Sequence, residues 1–255
     1  SYIELARREI EAGRARLSTG DTYVCPETFQ VALRAVGGCV AAVDAVLDGR
    51  VRNAFCAVRP PGHHATPTAG MGFCVFNNAA VAARYAQRRR GVGKVLIADW
   101  DIHHGNGTQD AFYDDGSVFY CSTHLYHNYP MPLTGKGFCE EIGEADGEGT
   151  NLNMPMPRGS GDAEIIAAFR ERLVPAMEAF RPELVIVSAG FDSRIGDPLG
   201  GLELTDAGFA ELTRLLMGLA GGRLVSVLEG GYSLEGLASG AAAHVRALMN
   251  ASPTS

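Results

Sequence analysis

The chain predicts an α/β fold built on a parallel sheet, and three observations carry that prediction. Helix-like and strand-like segments alternate from end to end of its 255 residues, the order expected when helices cover both faces of a parallel sheet. The strand-like runs are short and apolar. The residues able to do chemistry sit just past the ends of those runs, where ligands bind in open parallel sheets.

Residues 27 to 48 carry Phe29, Val31, Leu33, Val36, Val40, Val43, Val46 and Leu47 at mixed helical spacing and predict a packed helix. Residues 53 to 58 predict a short strand, and a helix from 78 to about 89 leads into a strand at 94 to 98. Two further strands are expected at 117 to 121 and 184 to 188, with a helix from 162 to about 180 between them. A last strand at 224 to 228 follows a helix that begins after Thr205 and precedes one from 234 to about 249. No low-complexity linker or internal repeat interrupts this order, so one domain over residues 1 to 255 is expected.

A net charge of −7, a pI near 5.5 and the lack of a basic stripe argue against a nucleic-acid partner. Arg88-Arg89-Arg90 ends a helical stretch just before Gly91, where cations complement the helix dipole. The cysteines, Cys25, Cys39, Cys56, Cys74, Cys121 and Cys139, form no C-x-x-C pair, and buried free thiols in a reducing compartment are expected. We expect no membrane-spanning stretch and no secretion signal, and hence a cytoplasmic location. The chain begins at Ser1 rather than at a methionine.

The densest polar cluster is Asp99-Trp100-Asp101-Ile102-His103-His104-Gly105-Asn106-Gly107. Two carboxylates and two imidazoles beside a buried strand are costly unless a metal or a proton-transfer site uses them. Asp101 and His103 stand two apart, so on an extended segment they point to the same side and can grip one ion. Asp192, which follows another apolar strand and Gly190, is the best third ligand. Such a set with open positions suits a catalytic Zn²⁺ and also accepts Fe²⁺ or Co²⁺; the bland alternative is that Asp99 and Asp101 only cap a turn.

His63-His64, behind Pro60-Pro61-Gly62, offers a general base and a general acid. Asp99 and Asn106 are the candidate partners for their second ring nitrogens, and an Asp favours the imidazolium more than an Asn does. Gly230-Gly231-Tyr232 brings a phenol close to a ligand, where it can donate to a developing oxyanion. Gly105-x-Gly107 lacks the third glycine of a dinucleotide loop.

Taken together, six motifs closely resemble the zinc-dependent histone deacetylase family, and within it the class II and bacterial deacetylase-like amidohydrolase branch. They are Arg59-Pro60-Pro61-Gly62-His63-His64-Ala65, Gly72-Phe73-Cys74, the string from Asp99 to Thr108, Ser188-Ala189-Gly190-Phe191-Asp192, Gly196-Asp197-Pro198-Leu199-Gly200-Gly201 and Leu228-Glu229-Gly230-Gly231-Tyr232. The resemblance runs from about Asp21 to the last helix. It implies the arginase/deacetylase three-layer fold, with a parallel sheet of about eight strands, and hydrolysis of the acetyl amide of an acetyl-lysine-like substrate.

On matching positions the resemblance implies Zn²⁺ held by Asp101, His103 and Asp192, proton transfer by His63 and His64, and carbonyl polarisation by Tyr232. Asp99 would support His63, and Asn106 would stand beside His64 as in class II relatives. Gly72, Phe73 and Tyr129, with Leu199 and Gly230, would line the substrate channel, whose slot stabilises a lysine chain by roughly 0.8 kcal/mol per buried CH₂. A structural K⁺ would use Asp99, Asp101, His103, Ser122 and Thr123, and a second K⁺ would lie near Phe112, Asp115 and Val118.

Leu199 stands where polyamine-selective relatives carry an acid, which favours an acetyl-lysine, such as that of a protein side chain, or a broad amide substrate over an acetylpolyamine. The alternatives are hydrolysis of an acetylpolyamine or other small acetylated amine, and a non-catalytic acyl-lysine binder. Family members usually carry several tens of residues before the point that matches Ser1, so a shortened N-terminal portion of the domain is expected.

Overall fold

Six parallel strands form one sheet in the computed structural model, which describes residues 1–250, so the last five residues of the expected domain lie outside it. The strands are β1 (Asn53–Cys56), β2 (Val95–Asp99), β3 (Val118–Leu125), β4 (Asn151–Met156), β5 (Leu184–Ala189) and β6 (Leu224–Leu228), in the spatial order β1-β6-β5-β2-β3-β4. Every pairing is parallel. The count is two short of the expected eight, because β1 and β4 find no further pairing segment among the described residues. β4 was not foreseen: its Asn-Leu-Asn-Met-Pro-Met run carries two poor strand formers and a proline, tolerable only at a sheet edge.

Helices cover both faces. On one side α2 (Thr28–Leu47), α3 (Asn78–Arg90) and α4 (Asn106–Phe112) meet Val95, Ile97, Ile186 and Val225. On the other, α6 (Asp162–Ala168), α7 (Val174–Phe180), α8 (Asp206–Met217) and α9 (Leu234–Met249) enclose Leu96, Ala98, Val185 and Val187. Three helices were not anticipated: α1 (Tyr2–Glu11), which packs Ala6 and Ile10 against Leu17 and Phe29, α4, and the single turn α5 (Met131–Thr134). The helix expected from 162 to 180 is one run interrupted by a π turn at Phe169–Leu173, which ends two residues before Pro175, a residue that cannot donate to the helical ladder.

α2 differs from its expectation in two ways. It buries Phe29, Ala32, Ala35, Cys39, Val43 and Val46 and leaves Val31 and Leu33 exposed. By length and composition, with a mean hydropathy of 1.5, it is also long and apolar enough to cross a membrane, contrary to the expectation of no such stretch. α3 ends as anticipated at Gly91 in the left-handed conformation, and Arg90 pairs with Asp44 and Asp48 as well as lying at the helix C-terminus. Cys39, Cys56, Cys74 and Cys121 are buried, Cys25 and Cys139 exposed, and all are free thiols.

His244 of α9 lies in the core against Phe55 and Trp100, each 5.4 Å away between ring centroids. Its Nδ1 donates to Thr213 Oγ1 at 2.7 Å and its Nε2 accepts from Ser226 Oγ at 2.8 Å, so the neutral ring is fully satisfied. Burial lowers its pKa to about 3. The unfolded chain binds that proton near pH ~6.5, so the stability His244 contributes is complete above that pH and declines as pH falls, by up to about 1.4 kcal/mol per unit. Urea denaturation between pH 7.5 and 5 should therefore give a shallower pH dependence for His244→Gln than for the parent chain; equal slopes would contradict this role.

Candidate active site

The strand order reverses beside β2. From β2 the chain steps outward to β3 through α4 on one face, whereas from β5 it steps the other way to β6 through α8 on the opposite face. The crevice beyond the β2 and β5 carboxyl ends is the topological switch point where such sheets bind ligands. Asp101 and His103 leave β2 there, Asp192 leaves β5, and Glu229 to Tyr232 leave β6.

Asp101, His103 and Asp192 bring one ligand atom each within 4.8 Å of one another, all buried. His103 Nδ1 is 2.9 Å from Asp101 Oδ1 and 3.1 Å from Asp192 Oδ2. Asp192 Oδ1 accepts from the Ile102 amide at 3.0 Å, whereas its Oδ2 has no hydrogen-bond partner. Asp101 Oδ2 accepts from the Gly230 amide at 2.8 Å. Glycine is required at two places: a Cβ on Gly190 would collide with Asp101, and one on Gly230 with Asp192. Burial opposes charge on His103, but Asp101 and Asp192 outweigh it and raise its pKa to about 10. Asp192 rises to about 6 through burial and the neighbouring Asp101.

The tandem histidines follow β1 and reach the same crevice. His63 Nδ1 donates to Asp99 Oδ2 at 3.0 Å, leaving Nε2 3.8 Å from Asp101 Oδ1; His64 Nδ1 donates to Asn106 Oδ1 at 2.9 Å. Their environments differ as the Asp and Asn partners suggested. Burial disfavours both imidazolium forms, yet Asp101 and Asp99 raise His63 well above the usual histidine range. His64 falls well below it, through burial and the neighbouring His63 and His103. Asp99 is supported in turn by Tyr120, whose hydroxyl donates to Oδ2 at 3.1 Å.

A cavity of about 240 Å³ descends to this cluster, lined by His64, His103 and Tyr232 with Gly72, Phe73, Tyr129 and Leu199. The Tyr129 ring meets His64 edge-on at 5.1 Å, and Phe73 faces Tyr232 at 6.4 Å. Phe73 holds a left-handed backbone, φ 65°, strain that presents its ring at the channel wall. Gly230 does not line the cavity; it lies beneath the carboxylates, where its amide holds Asp101. His63 also stays out of the cavity, behind His64. A larger groove of about 950 Å³ near Arg214 and Arg246 receives none of the strand-end groups, so chemistry rather than size singles out the smaller one.

Sequence reasoning missed Asp21 and Asn128, which also line the cavity. Asp21 accepts from the Gly72 amide at 2.6 Å, and as one carboxylate in an irregular segment it had no spacing to betray it. Asp197 was quoted only as part of a motif. Its Oδ2 accepts from the Tyr232 and Ser233 amides at 2.7 and 3.0 Å and its Oδ1 from the Leu199 amide at 2.9 Å, which ties the Tyr232 loop to Leu199.

Ser122 and Thr123 were expected just beyond a strand; they lie inside β3, where Ser122 registers with Asp99. Ser122 Oγ is 2.9 Å from His124 Nδ1, and the side-chain oxygens of Asp99 and Asp101 already accept hydrogen bonds. At the second expected potassium position the Asp115 carboxylate pairs with Arg84 and Ser117.

A model of the histone deacetylase domain matches residues 1–248 of this chain. The chain belongs to the histone deacetylase family. Among relatives of this family it is 47% identical over 240 residues to "Histone deacetylase 10, chloroplastic" of Oryza sativa subsp. japonica, covering 91% of this chain and 53% of that one. It is 45% identical over 255 residues to "Polyamine deacetylase HDAC10" of Homo sapiens, covering 97% of this chain and 38% of that protein. The chain thus spans about half or less of these two relatives. The crystal structure of the HDA15 HD domain superposes with a TM-score of 0.91 at 41% identity, covering 98% of this chain and 72% of that one.

In this histone deacetylase-family chain the donor set fits a divalent ion. One carboxylate oxygen is orphaned in the interior, and two buried carboxylates crowd a single imidazole nitrogen. Asp101, His103 and Asp192 would hold it. Purified chain dialysed against Zn²⁺ is expected to retain about one ion by atomic spectroscopy and to melt at a higher temperature than the chelated protein. Asp192→Ala should lose both effects; full retention by that variant would contradict the assignment.

Proposed function

We propose that this chain is the catalytic domain of a zinc-dependent deacetylase that removes the acetyl group from an acetyl-lysine-like amide. The observation that carries this reading is the meeting, at the bottom of one aromatic-walled cavity, of the His103 member of the acidic triad with His64 and Tyr232. Bound Zn²⁺ would supply Lewis-acid polarisation of the amide carbonyl and of a water. His64, kept neutral and hydrogen-bonded through Nδ1 to Asn106, offers Nε2 to take the proton of the attacking water. The same imidazole then delivers that proton to the leaving nitrogen, so water and amide become acetate and amine. His63, held behind it by Asp99, remains charged and balances the buried carboxylates.

Tyr232 donates a hydrogen bond to the carbonyl oxygen as negative charge develops there. Burial and the neighbouring Asp101 and Asp192 raise its pKa, which keeps it a donor. Phe73 and Tyr129 would sheathe the methylenes of the substrate. A second reading, an acetylpolyamine substrate, is favoured by the Asp21 carboxylate in the cavity wall and by similarity to a relative named a polyamine deacetylase; the apolar Leu199 at the same cavity favours the peptide. A structural potassium beside Asp99, Asp101, His103, Ser122 and Thr123 belongs to the same proposal and rests on the family resemblance.

Turnover of an acetyl-lysine peptide, compared with that of an acetylated polyamine, tests the reading and separates the two substrates. Tyr232→Phe should lower kcat by about 10²-fold or more, the scale of a lost oxyanion donor. Near-parental turnover in that variant would reject the role of the phenol.

A further inference from the structure

Glu229 is fully buried at the carboxyl end of β6, and no step above uses it. Its Oε2 accepts from the Gly62 amide at 2.6 Å and the His63 amide at 3.2 Å, and its Oε1 accepts from Ser188 Oγ at 3.1 Å. Its backbone amide donates to Ala189 at 3.1 Å, and its carbonyl accepts from Arg59 Nη1 at 3.1 Å. One side chain therefore fastens the Pro61-Gly62-His63-His64 turn to the ends of β5 and β6. From the other side the His63 carbonyl accepts from the Gly107 and Thr108 amides at 3.0 and 3.2 Å. The turn is held between these two clamps, and a Cβ on Gly62 would strike the backbone of Phe76 to Asn78, so it has little room to shift.

We infer that Glu229 is a positioning residue, which sets the place of the His63-His64 backbone by accepting its amide hydrogens while Ser188 holds the carboxylate in orientation. The inference rests on the deacetylase reading for its kinetic consequence and on the hydrogen bonds alone for its structural one. Each partner of Glu229 in this anchor is a donor, so the anchor needs acceptors. A glutamine can still serve: its oxygen faces the two amides, and its nitrogen donates to Ser188 Oγ, since a hydroxyl can turn to accept. Alanine removes the anchor, and aspartate draws it back by one methylene.

Local movement of the proton-transfer pair by about 1 Å costs about 10²-fold in turnover. Steady-state kinetics on the zinc-loaded full chain with an acetyl-lysine peptide should therefore show Glu229→Ala and Glu229→Asp losing about 10²-fold in kcat, with KM within about threefold and Glu229→Gln within about fivefold of the parent. Hydrogen–deuterium exchange should rise in Glu229→Ala over residues 59–66 and stay unchanged in α9, with Glu229→Gln like the parent. Should Glu229→Ala not fold, Glu229→Asp carries the test. A folded Ala or Asp variant with parental kcat and parental exchange overturns the inference. So does a Gln variant that falls as far as Ala, because charge rather than the anchor would then be at work. An inactive parent chain rejects the deacetylase reading, while the exchange experiment still decides whether Glu229 anchors the turn.

Discussion

Uncompensated negative charge, buried at one end of the sheet, is the constraint on which the rest of this structure depends. Asp99, Asp101, Asp192 and Glu229 are wholly inaccessible to water. His63 and His103 are the cations that face them, and together they hold only Asp101 below the usual carboxylate range against the effect of burial. Burial pushes Asp192 up to about 6 and Glu229 up to about 7. Isolated charges in a low-dielectric interior are expensive unless they are paired or bind metal, and a divalent ion would supply the missing positive charge beside Asp192 Oδ2, which accepts no hydrogen bond.

The same charge layout gives two adjacent histidines different work. Asp99 and Asp101 surround His63 and favour its imidazolium, while Asn106 offers His64 a neutral acceptor and the charged neighbours disfavour a second proton. Of the two, His64 alone lines the cavity, so the member of the pair that would meet a ligand is the one kept free to take a proton. The backbone serves this arrangement. Gly190 and Gly230 let two loops approach the carboxylates, and Asp197 and Glu229 hold the Tyr232 loop and the histidine turn by accepting amide hydrogens.

Much of this was legible in the amino-acid sequence because parallel strands place their catalytic loops at one edge. Asp101 and His103 were found by their spacing, although the segment bends rather than runs extended and the His103 amide donates to Asp101 Oδ1; Asp192 was found because it too follows an apolar run. What escaped has physical reasons. β4 lies at a sheet edge, where asparagine and Pro155 are tolerated, so no apolar run announced it. Asp21 meets the cavity from an irregular segment, and Asn128 from the loop after β3. Ser122 and Thr123 were expected past a strand end, but pairing with β4 carries β3 on to Leu125. Gly230 was expected at the channel and lies beneath the carboxylates, since proximity in sequence to Tyr232 does not fix which way a loop turns.

X-ray absorption spectroscopy at the zinc edge of the loaded chain tests the central claim most directly. The account predicts a shell of only nitrogen and oxygen at about 2.0–2.1 Å, with the outer-shell scattering of one imidazole. A sulfur contribution near about 2.3 Å would place the metal at a cysteine and contradict the strand-end site, as would two or more imidazoles.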